Sequence, residues 1–256
     1  ASELLEARAQ LADCLGKVVD GAEGNDILAS GVGYDELFGG TGNDYLFGNQ
    51  GNDTIAGGQG NDTIAGGKDE DLLLGGQGDD NLSGDVGNDQ IFGNRENDTL
   101  LGGEGNDSLY GGQGNDNIFG GQGNDLVSGD KGNDNLFGGG GQDTFRFGLF
   151  LVGNEAIPTA AEKPLGMDSI GDFNPTEDKI QLDRRLFPEL TNDTLVASDF
   201  AKINSLNDLA NQGAAIVYDS SSGLVYYNAT DAAGDEVEIV KLQSNLNLNA
   251  DNFNSF

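Results

Sequence analysis

The sequence predicts an all-β fold in which short parallel strands stack into successive coils, with two nine-residue repeats to each coil. An aspartate recurs every nine residues in one register from Asp26 to Asp143, and an apolar residue stands two positions after each. Glycine makes up 43 of 256 residues, about 17% against a usual level of roughly 7%. The period is absent from both flanks, so we expect an N-terminal helical cap over residues 1–20, the coils over 21–147 and a C-terminal β-rich cap over 148–256.

Composition excludes several classes of function. The chain has 12 Lys and Arg against 44 Asp and Glu, and its net charge of −32 repels nucleic-acid phosphates and anionic lipid. It has no histidine, which excludes zinc-protease motifs, Ser-His-Asp triads and Cys-His dyads, and its single cysteine allows no intrachain disulfide. The sequence contains neither an apolar run of roughly 18 residues nor a recognisable signal peptide. We expect no enzyme activity, no nucleic-acid partner and no membrane insertion.

The repeat unit reads G-G-x-G-x-D-x-U-x, where U is apolar. Glycine precedes the aspartate by two positions in 12 of 14 copies and by five positions in 13 of 14. A glycine-rich hexapeptide turns sharply, and the three residues after it are long enough for a short strand. Seven coils of two repeats, stacked about 4.8 Å apart, then give a rod of roughly 30 Å with the U side chains inside. The repeat aspartates are Asp26, Asp35, Asp44, Asp53, Asp62, Asp71, Asp80, Asp89, Asp98, Asp107, Asp116, Asp125, Asp134 and Asp143.

Alternate repeats place these aspartates in two columns, one on each side of the rod. Carboxylates about 4.8 Å apart cannot stack as bare charges, so a doubly positive ion has to lie between them. Calcium takes 6–8 oxygen ligands and accepts carboxylates together with backbone carbonyls, whereas magnesium prefers tight octahedral shells with water. The pattern therefore predicts calcium bound by the repeat aspartates, and the alternative is a solvated acidic repeat without metal.

The nonapeptide resembles the RTX (repeat-in-toxin) family of haemolysin-type calcium-binding repeats. Residues 57–65 and 111–119 match its pattern in full. The resemblance implies a calcium-bound parallel β-roll, with each ion held between adjacent turns of one side and about 12 ions inside the roll. Members of this family leave the cell by type I secretion with an uncleaved C-terminal signal. The resemblance therefore also implies a secreted protein that is extracellular or at the cell surface.

Some copies depart from the pattern. Asp69 and Glu96 replace the glycine two positions before the aspartate. Asn or Asp replaces the second glycine in four copies, at Asn49, Asp85, Asn94 and Asp130. Residues 93–98 depart twice, so we predict that this site is the weakest or is locally remodelled.

The N-terminal flank has a helical pattern. Residues 2–15 read as a helix with Ser2 at its N-cap, and Leu15 and Val18 fall near one apolar face. Such a helix covers the open end of the roll, as solenoids require, or is an interaction helix or the remnant of an upstream domain.

The C-terminal flank resembles the cap of serralysin-like secreted proteases. The resemblance rests on residues 168–182, in which Asp168, Asp172 and Asp178 are candidate calcium ligands or turn caps. Strands are predicted over Gly213–Asp219, Leu224–Asn228 and Val237–Leu242, with turns at 220–223 and 231–234. Residues 248–256 are interpreted as either the secretion signal or a last strand.

The leading functional hypothesis is a secreted calcium-binding structural or adhesive protein that folds on calcium binding outside the cell. Its expected partners are calcium, and either other copies of itself, in a matrix, layer or filament, or cell-surface polysaccharide. The residue after U is apolar in 11 of 14 repeats, and it either packs at the strand–turn junction or forms a lateral apolar stripe for assembly.

Two alternatives stay open. The chain could be the C-terminal folding and export module of a larger secreted enzyme, such as a protease, lipase or polysaccharide-modifying enzyme. Ice binding is a third hypothesis, because ten of the 14 residues before the key aspartate are asparagine. The matching threonine ladder is missing, since only Thr41 occupies its position.

Overall fold

The computed structural model describes residues 16–148, 166–183, 200–203, 216–228 and 236–255, which form strands, turns and one 3-10 turn without an α-helix. The all-β prediction is confirmed, because the repeats build a parallel β-roll. No helix in this part of the chain is long and apolar enough to cross a membrane.

The strands in chain order are β1 (Val18–Asp20), β2 (Ile27–Val32), β3 (Glu36–Thr41), β4 (Tyr45–Gln50), β5 (Thr54–Gln59), β6 (Thr63–Lys68), β7 (Leu72–Gln77), β8 (Asn81–Val86), β9 (Gln90–Arg95), β10 (Thr99–Glu104), β11 (Ser108–Gln113), β12 (Asn117–Gln122), β13 (Leu126–Lys131), β14 (Asn135–Gly140), β15 (Thr144–Phe147), β16 (Asp168–Ile170), β17 (Lys179–Leu182), β18 (Phe200–Ile203), β19 (Ile216–Asp219), β20 (Leu224–Asn228), β21 (Glu236–Lys241) and β22 (Phe253–Ser255).

Successive strands alternate between two sheets. The ten-stranded sheet contains the odd-numbered strands β1 to β17 followed by β22. The twelve-stranded sheet contains the even-numbered strands β2 to β16, followed by β21, β20, β19 and β18. Strands in the repeats pair with the strand 18 residues away, as in the parallel register of Leu100 with Ile118. Two repeats therefore close one coil, as the nine-residue period predicts.

The U side chains form the core between the two sheets. Thirteen of them, from Leu37 to Phe145, are at most 1% exposed, and Leu28 at the N-terminal end is partly buried against the same cluster. The core is narrow because each repeat contributes one large apolar side chain. Its continuity comes from the stacking, since each U residue packs between those of the coils on either side.

The strands are longer than the sequence suggested. Each strand of the repeats from β2 to β14 has six residues, so pairing extends beyond the x-U-x segment into the glycine-rich hexapeptide. Gly40 pairs with Gly58 and Thr41 with Gln59. The hexapeptide keeps pairing because adjacent coils carry the same turn in the same register, so their backbones match.

Residues 16–20 are the part of the predicted N-terminal cap that the structure describes, and they contain a strand. Val18, which the helical pattern placed on an apolar helix face, lies in β1 and pairs with Glu36 of β3. The segment joins the ladder because the first coil offers an open strand edge. The helix predicted over residues 2–15 lies outside the described residues, but a helical cap that continues to residue 20 is wrong.

Both sheets continue past the last repeat. Ile170 of β16 pairs with Leu136, and Ile180 of β17 pairs with Phe145, so both residues extend the buried U column. Phe253 of β22 pairs in turn with Ile180, which supports the interpretation of the C-terminal residues as a last strand. A domain boundary at residue 148 stays a prediction, but neither sheet ends there.

Three C-terminal strands match their predictions within the described residues. Leu224–Asn228 is a strand with the predicted bounds. The strand Glu236–Lys241 lies one residue before the predicted Val237–Leu242, and Ile216–Asp219 is the described part of the strand predicted over Gly213–Asp219. They form an antiparallel meander joined to β16. The turn at 220–223 is present, and the turn predicted at 231–234 lies outside the described residues.

We expect Leu100→Ala to lower the free energy of unfolding by about 2–5 kcal/mol in saturating calcium, because it leaves a cavity in the column. Leu101→Ala is the matched control, since Leu100 is fully buried and its neighbour Leu101 is 43% exposed. The control should cost less than about 1 kcal/mol. Urea unfolding of both variants measures the difference, and equal losses would contradict the assignment of the core.

Candidate metal sites

The repeat aspartates occupy two buried columns, as predicted. From Asp35 to Asp143 each is at most 3% exposed. From Asp44 to Asp143, Oδ1 of each aspartate accepts the backbone N–H of the aspartate 18 residues earlier, at 2.7 Å from Asp53 to Asp71. Oδ1 of Asp35 accepts the backbone N–H of Lys17 in the same way. The bond repeats along the columns because each coil repeats the turn before it. One oxygen of each carboxylate is therefore fixed by the fold.

The second carboxylate oxygen, Oδ2, is buried and has no hydrogen-bond partner in thirteen of the fourteen repeats. A buried carboxylate oxygen without a partner is costly, and thirteen in one small rod oppose folding strongly unless a cation neutralises them. The thirteen residues are Asp26, Asp35, Asp44, Asp53, Asp62, Asp71, Asp80, Asp89, Asp98, Asp107, Asp116, Asp125 and Asp134.

Glycines hold open a space beside twelve of these thirteen oxygens, and Ser30 takes the glycine position only before Asp35. A Cβ built on Gly39 would lie 2.5 Å from Oδ2 of Asp44 and 2.5 Å from the carbonyl oxygen of Gly57 in the next coil. Carboxylate and carbonyl oxygens therefore border the same small space, which any larger residue would fill. The arrangement recurs at Gly75, beside Oδ2 of Asp80 and the carbonyl oxygen of Gly93.

Burial raises the pKa of most of these carboxyl groups. The pKa of Asp98 rises to about 8, chiefly because burial penalises its charged form. The charges of Asp116 and Asp80 raise this pKa further, while the hydrogen bond from the Asp80 backbone lowers it. Burial likewise raises the pKa of Asp116 to about 7 and that of Asp62 to about 6. The columns disfavour bare negative charge and therefore favour a proton or a cation.

The donors fit a hard divalent cation. In the described ranges no three or more His, Cys, Asp or Glu side chains converge on one point, so carboxylates alone cannot enclose an ion. The available donors are pairs of carboxylates from adjacent coils together with backbone carbonyl oxygens. Calcium accepts such mixed oxygen ligands, whereas zinc and copper sites depend on thiolate or imidazole donors, and the chain has no histidine.

The irregular copies keep the turn conformation. Asp69 and Glu96 adopt the left-handed region, with φ of 76° and 68°. The Glu96 carboxylate accepts the backbone N–H of Gly78 at 2.9 Å, whereas in a regular copy the Gly60 N–H donates to the carbonyl oxygen of Gln77. Hydrogen bonding around residues 93–98 is therefore locally remodelled. The relative calcium affinity of this turn stays a prediction.

Two copies carry a side-chain pair that the sequence reasoning missed. Asp85 and Asp130 replace the second glycine, and each accepts a hydrogen bond from a serine two residues earlier, Ser83 or Ser128. Serine follows U only in these two repeats, so the substitutions occur together. This joint occurrence is the sequence signal that could have identified the pair.

The asparagines before the key aspartates form a separate ladder at the turns. Oδ1 of Asn43 accepts the backbone N–H of Asn61 at 3.0 Å, and Oδ1 of Asn97 accepts that of Asn115 at 2.9 Å. These bonds point toward the following coil, whereas those of the aspartates point toward the preceding one. The asparagine ladder therefore connects coils.

Asp168 and Asp178 continue the two aspartate columns. Oδ1 of Asp168 accepts the backbone N–H of Asp134 at 3.0 Å, and Oδ1 of Asp178 accepts that of Asp143 at 3.1 Å. Burial and the nearby charge of Asp134 raise the pKa of Asp168 well above its ordinary value. The D-x-U spacing at 168–170 and 178–180 is the signal for this continuation, but the insertion after residue 147 hides the nine-residue period.

Asp172 lies outside the columns. Its two carboxylate oxygens accept the backbone N–H groups of Gly138 at 3.0 Å and Gly139 at 2.9 Å. Oδ2 of Asp178 is also engaged, since it accepts the N–H of Asn174 at 2.7 Å. These bonds support the turn-capping alternative for both residues.

The turns of this parallel β-roll carry buried carboxylates and small glycine-lined spaces bordered by oxygen atoms. Such a structure is typical of a repeat protein that binds hard cations. The family described as RTX calcium-binding nonapeptide repeat (4 copies) matches residues 20–55, 56–91, 83–118, 92–127 and 110–145. The chain is an RTX-type calcium-binding repeat protein, as the nonapeptide pattern predicts.

One solved structure similar to this chain is the solution structure of the AlgE6R3 subunit from the Azotobacter vinelandii mannuronan C5-epimerase. It is 26% identical, the match covers 62% of this chain and 78% of that chain, and the TM-score is 0.39. No curated protein matches the chain.

We expect Gly75→Ala to lower both stability and calcium binding. The added Cβ would lie 2.5 Å from Oδ2 of Asp80 and 2.8 Å from the carbonyl oxygen of Gly93, so the carboxylate has to move. Such overpacking costs about 1–3 kcal/mol, and the displaced carboxylate is a predicted ligand. Urea unfolding in calcium and calcium counting by native mass spectrometry measure the two effects.

Gly24→Ala is the control for the glycine substitution. Gly24 has a φ of +112°, but its Cβ would meet nothing within 4 Å. This variant should lose stability through backbone strain and keep the calcium count of the parent. If Gly75→Ala also keeps the full count, the pocket beside Asp80 does not hold an ion.

Proposed function

We propose that this chain is a secreted calcium-binding structural or adhesive protein that folds when it binds calcium outside the cell and assembles into an extracellular matrix, layer or filament. The observation that supports the proposal is the set of thirteen buried Oδ2 atoms without hydrogen-bond partners. Bound calcium supplies positive charge beside these oxygens, so its binding free energy contributes directly to folding. A calcium-poor cytoplasm then keeps the chain unfolded, and calcium-rich surroundings fold it.

We assign the ions to the gaps between adjacent turns of each column. Seven turns on each side leave six gaps, which gives about 12 ions in all. The fourteen repeat aspartates supply the carboxylate ligands, and Asp168 adds a turn to one column through its bond with Asp134. Asp172 and Asp178 serve mainly to cap turns, because both oxygens of each already accept backbone N–H groups.

The residues before β1 are proposed to cover the N-terminal end of the roll. This end of the core is open in the described part of the chain, where the core-facing residues Val19 and Leu28 are only partly buried. β1 and β2 are the last strands of their sheets there, so their outer edges lack a paired strand. An apolar segment over this end protects both features.

Counting calcium ions tests the ligand assignment. Native mass spectrometry of the protein at pH 7.5 should show close to 12 bound ions for the parent. Asp62→Asn should bind fewer, because it replaces a buried oxygen without a partner by an amide NH₂ group. The control Asp79→Asn places asparagine where Asn61 and Asn97 stand in the coils on either side, and it should keep the full count. A parent protein that binds only one or two ions contradicts the proposal.

A further inference from the structure

One strip of the roll surface carries no charge. It consists of the first and third residues of the even-numbered strands β2 to β14, which face outward on either side of the buried U residue. We call it the uncharged face. Its residues are Ile27, Ala29, Tyr45, Phe47, Thr63, Ala65, Asn81, Ser83, Thr99, Leu101, Asn117, Phe119, Asn135 and Phe137.

The rest of the roll contrasts with this face. The net charge of the chain is −32, yet none of these fourteen residues is acidic or basic. The corresponding surface of the other sheet carries Asp20, Glu36 and Arg146. Farther along the same even-numbered strands Lys68, Asp85 and Glu104 are exposed and charged, so charged residues border the uncharged face on that side. A second strongly acidic molecule therefore meets the least repulsion when it approaches the uncharged face.

The uncharged face also exposes large apolar side chains. Exposed fractions are 51% for Tyr45, 43% for Leu101, 38% for Phe119 and 36% for Phe47. These side chains lie in a lattice of fixed spacing, because each strand pairs in register with the next. Apolar area that is flat, ordered and free of charge favours contact with a surface of the same kind.

The orientation of the aromatic rings favours a protein partner over a sugar. The rings of Phe119 and Phe137 are stacked, with centroids 5.0 Å apart and an interplanar angle of 8°. Their faces cover each other, so they present edges to an incoming partner. A carbohydrate platform requires exposed ring faces, whereas ring edges and aliphatic side chains can mesh with a second β-face.

We propose that the uncharged face is the surface through which two copies of this chain pair side by side. The inference rests on the proposed assembly and identifies the surface responsible for it. The pairing is isologous, with the uncharged face of one copy on the same face of its partner. About 12 bound calcium ions would offset roughly 24 of the 32 negative charges, so pairing is expected of the calcium-loaded protein.

The dimensions of the face predict weak pairing. Seven strands about 4.8 Å apart and three residues of about 3.3 Å each cover roughly 300 Å². A standard stable interface buries about 800 Å² on each partner. Isolated pairs should therefore dissociate on dilution, and many weak contacts along an array would be needed for a stable assembly.

Sedimentation in calcium at increasing protein concentration tests the proposal. The weight-average mass of the parent should rise with concentration, and Phe119→Glu should lower the association constant at least about tenfold by placing a charge in the interface. Phe38→Glu is the matched control, because Phe38 follows U in the opposite sheet and has the same 38% exposure. It should associate like the parent. Circular dichroism confirms that each variant is folded.

Asn117→Glu provides a second test if Phe119→Glu does not fold. Asn117 is exposed on the same face, and its change adds a charge without removing an apolar side chain. If the parent associates and neither face variant weakens it, the uncharged face is not the contact, while the proposed assembly stands. If the parent stays monomeric at every concentration, both the pairing and the proposed assembly are wrong, while calcium-dependent folding stands.

Discussion

In a chelator, lowering the pH from 8 to 5 is expected to restore β-sheet to a largely unfolded chain. Burial raises the pKa of Asp98 to about 8, that of Asp80 to about 7 and that of Asp53 to about 6. A raised pKa means that the folded roll binds protons more tightly than the unfolded chain does. The metal-free roll therefore loses stability as the pH rises through these values and regains it as the pH falls.

The transition should be steep, because many carboxyl groups titrate together. Far-UV circular dichroism in chelator measures it, and pH 5 stays above the sequence pI of about 4.1, where precipitation is expected. In calcium the dependence reverses, since protons and calcium compete for the same oxygens and more calcium is needed at lower pH. A metal-free chain that stays unfolded at pH 5, or that is folded equally at pH 8, would contradict the account of the buried columns.

Asp98→Asn is expected to change stability in opposite directions with and without calcium. Oδ1 of Asp98 accepts the Asp80 backbone N–H at 2.8 Å, and asparagine can keep that bond. Its Oδ2 has no hydrogen-bond partner and is replaced by a neutral NH₂ group. In chelator the variant removes a buried charge, so it should fold at a higher pH than the parent. In calcium it removes an anionic ligand, which costs about 3 kcal/mol.

Asp79→Asn is the control for this change of sign. Asp79 is exposed, and its Oδ1 accepts the backbone N–H of Asn97, as the asparagines Asn43 and Asn97 do in other coils of the same side. The control should change stability by less than about 0.5 kcal/mol in either condition. Urea unfolding measures the change in stability in calcium, and pH titration measures the change in stability in chelator. A variant at Asp98 that is destabilised in both conditions would show that its carboxylate has only a structural role.

The nine-residue period was sufficient to predict the roll and its two aspartate columns. A strict period places Leu46 and Leu136 in the core and Asp44 and Asp134 in the turns whatever the surrounding sequence. Because the coil repeats, one correct assignment of core and turn positions determines all the others. The buried Oδ2 atoms follow from the same logic, because a charged residue confined between coils has no access to water.

The ends of the roll were harder to predict because the period fails there. Val18 has helical spacing relative to the residues before it, but the open edge of the first coil recruits it into a strand. Asp168 and Asp178 lie 34 and 35 residues after their column neighbours, so the insertion conceals their register. The pairing of Ser128 with Asp130 was also missed, because it depends on two substitutions occurring together.

A calcium titration followed by far-UV circular dichroism, from chelator to about 10 mM calcium at pH 7.5, tests the central claim most directly. We expect a cooperative transition from coil to β-sheet, because thirteen buried oxygens without hydrogen-bond partners oppose the metal-free roll at this pH. Strong β-sheet signal that persists in chelator would contradict it, and the roll would then be held by its core and its flanking segments rather than by calcium.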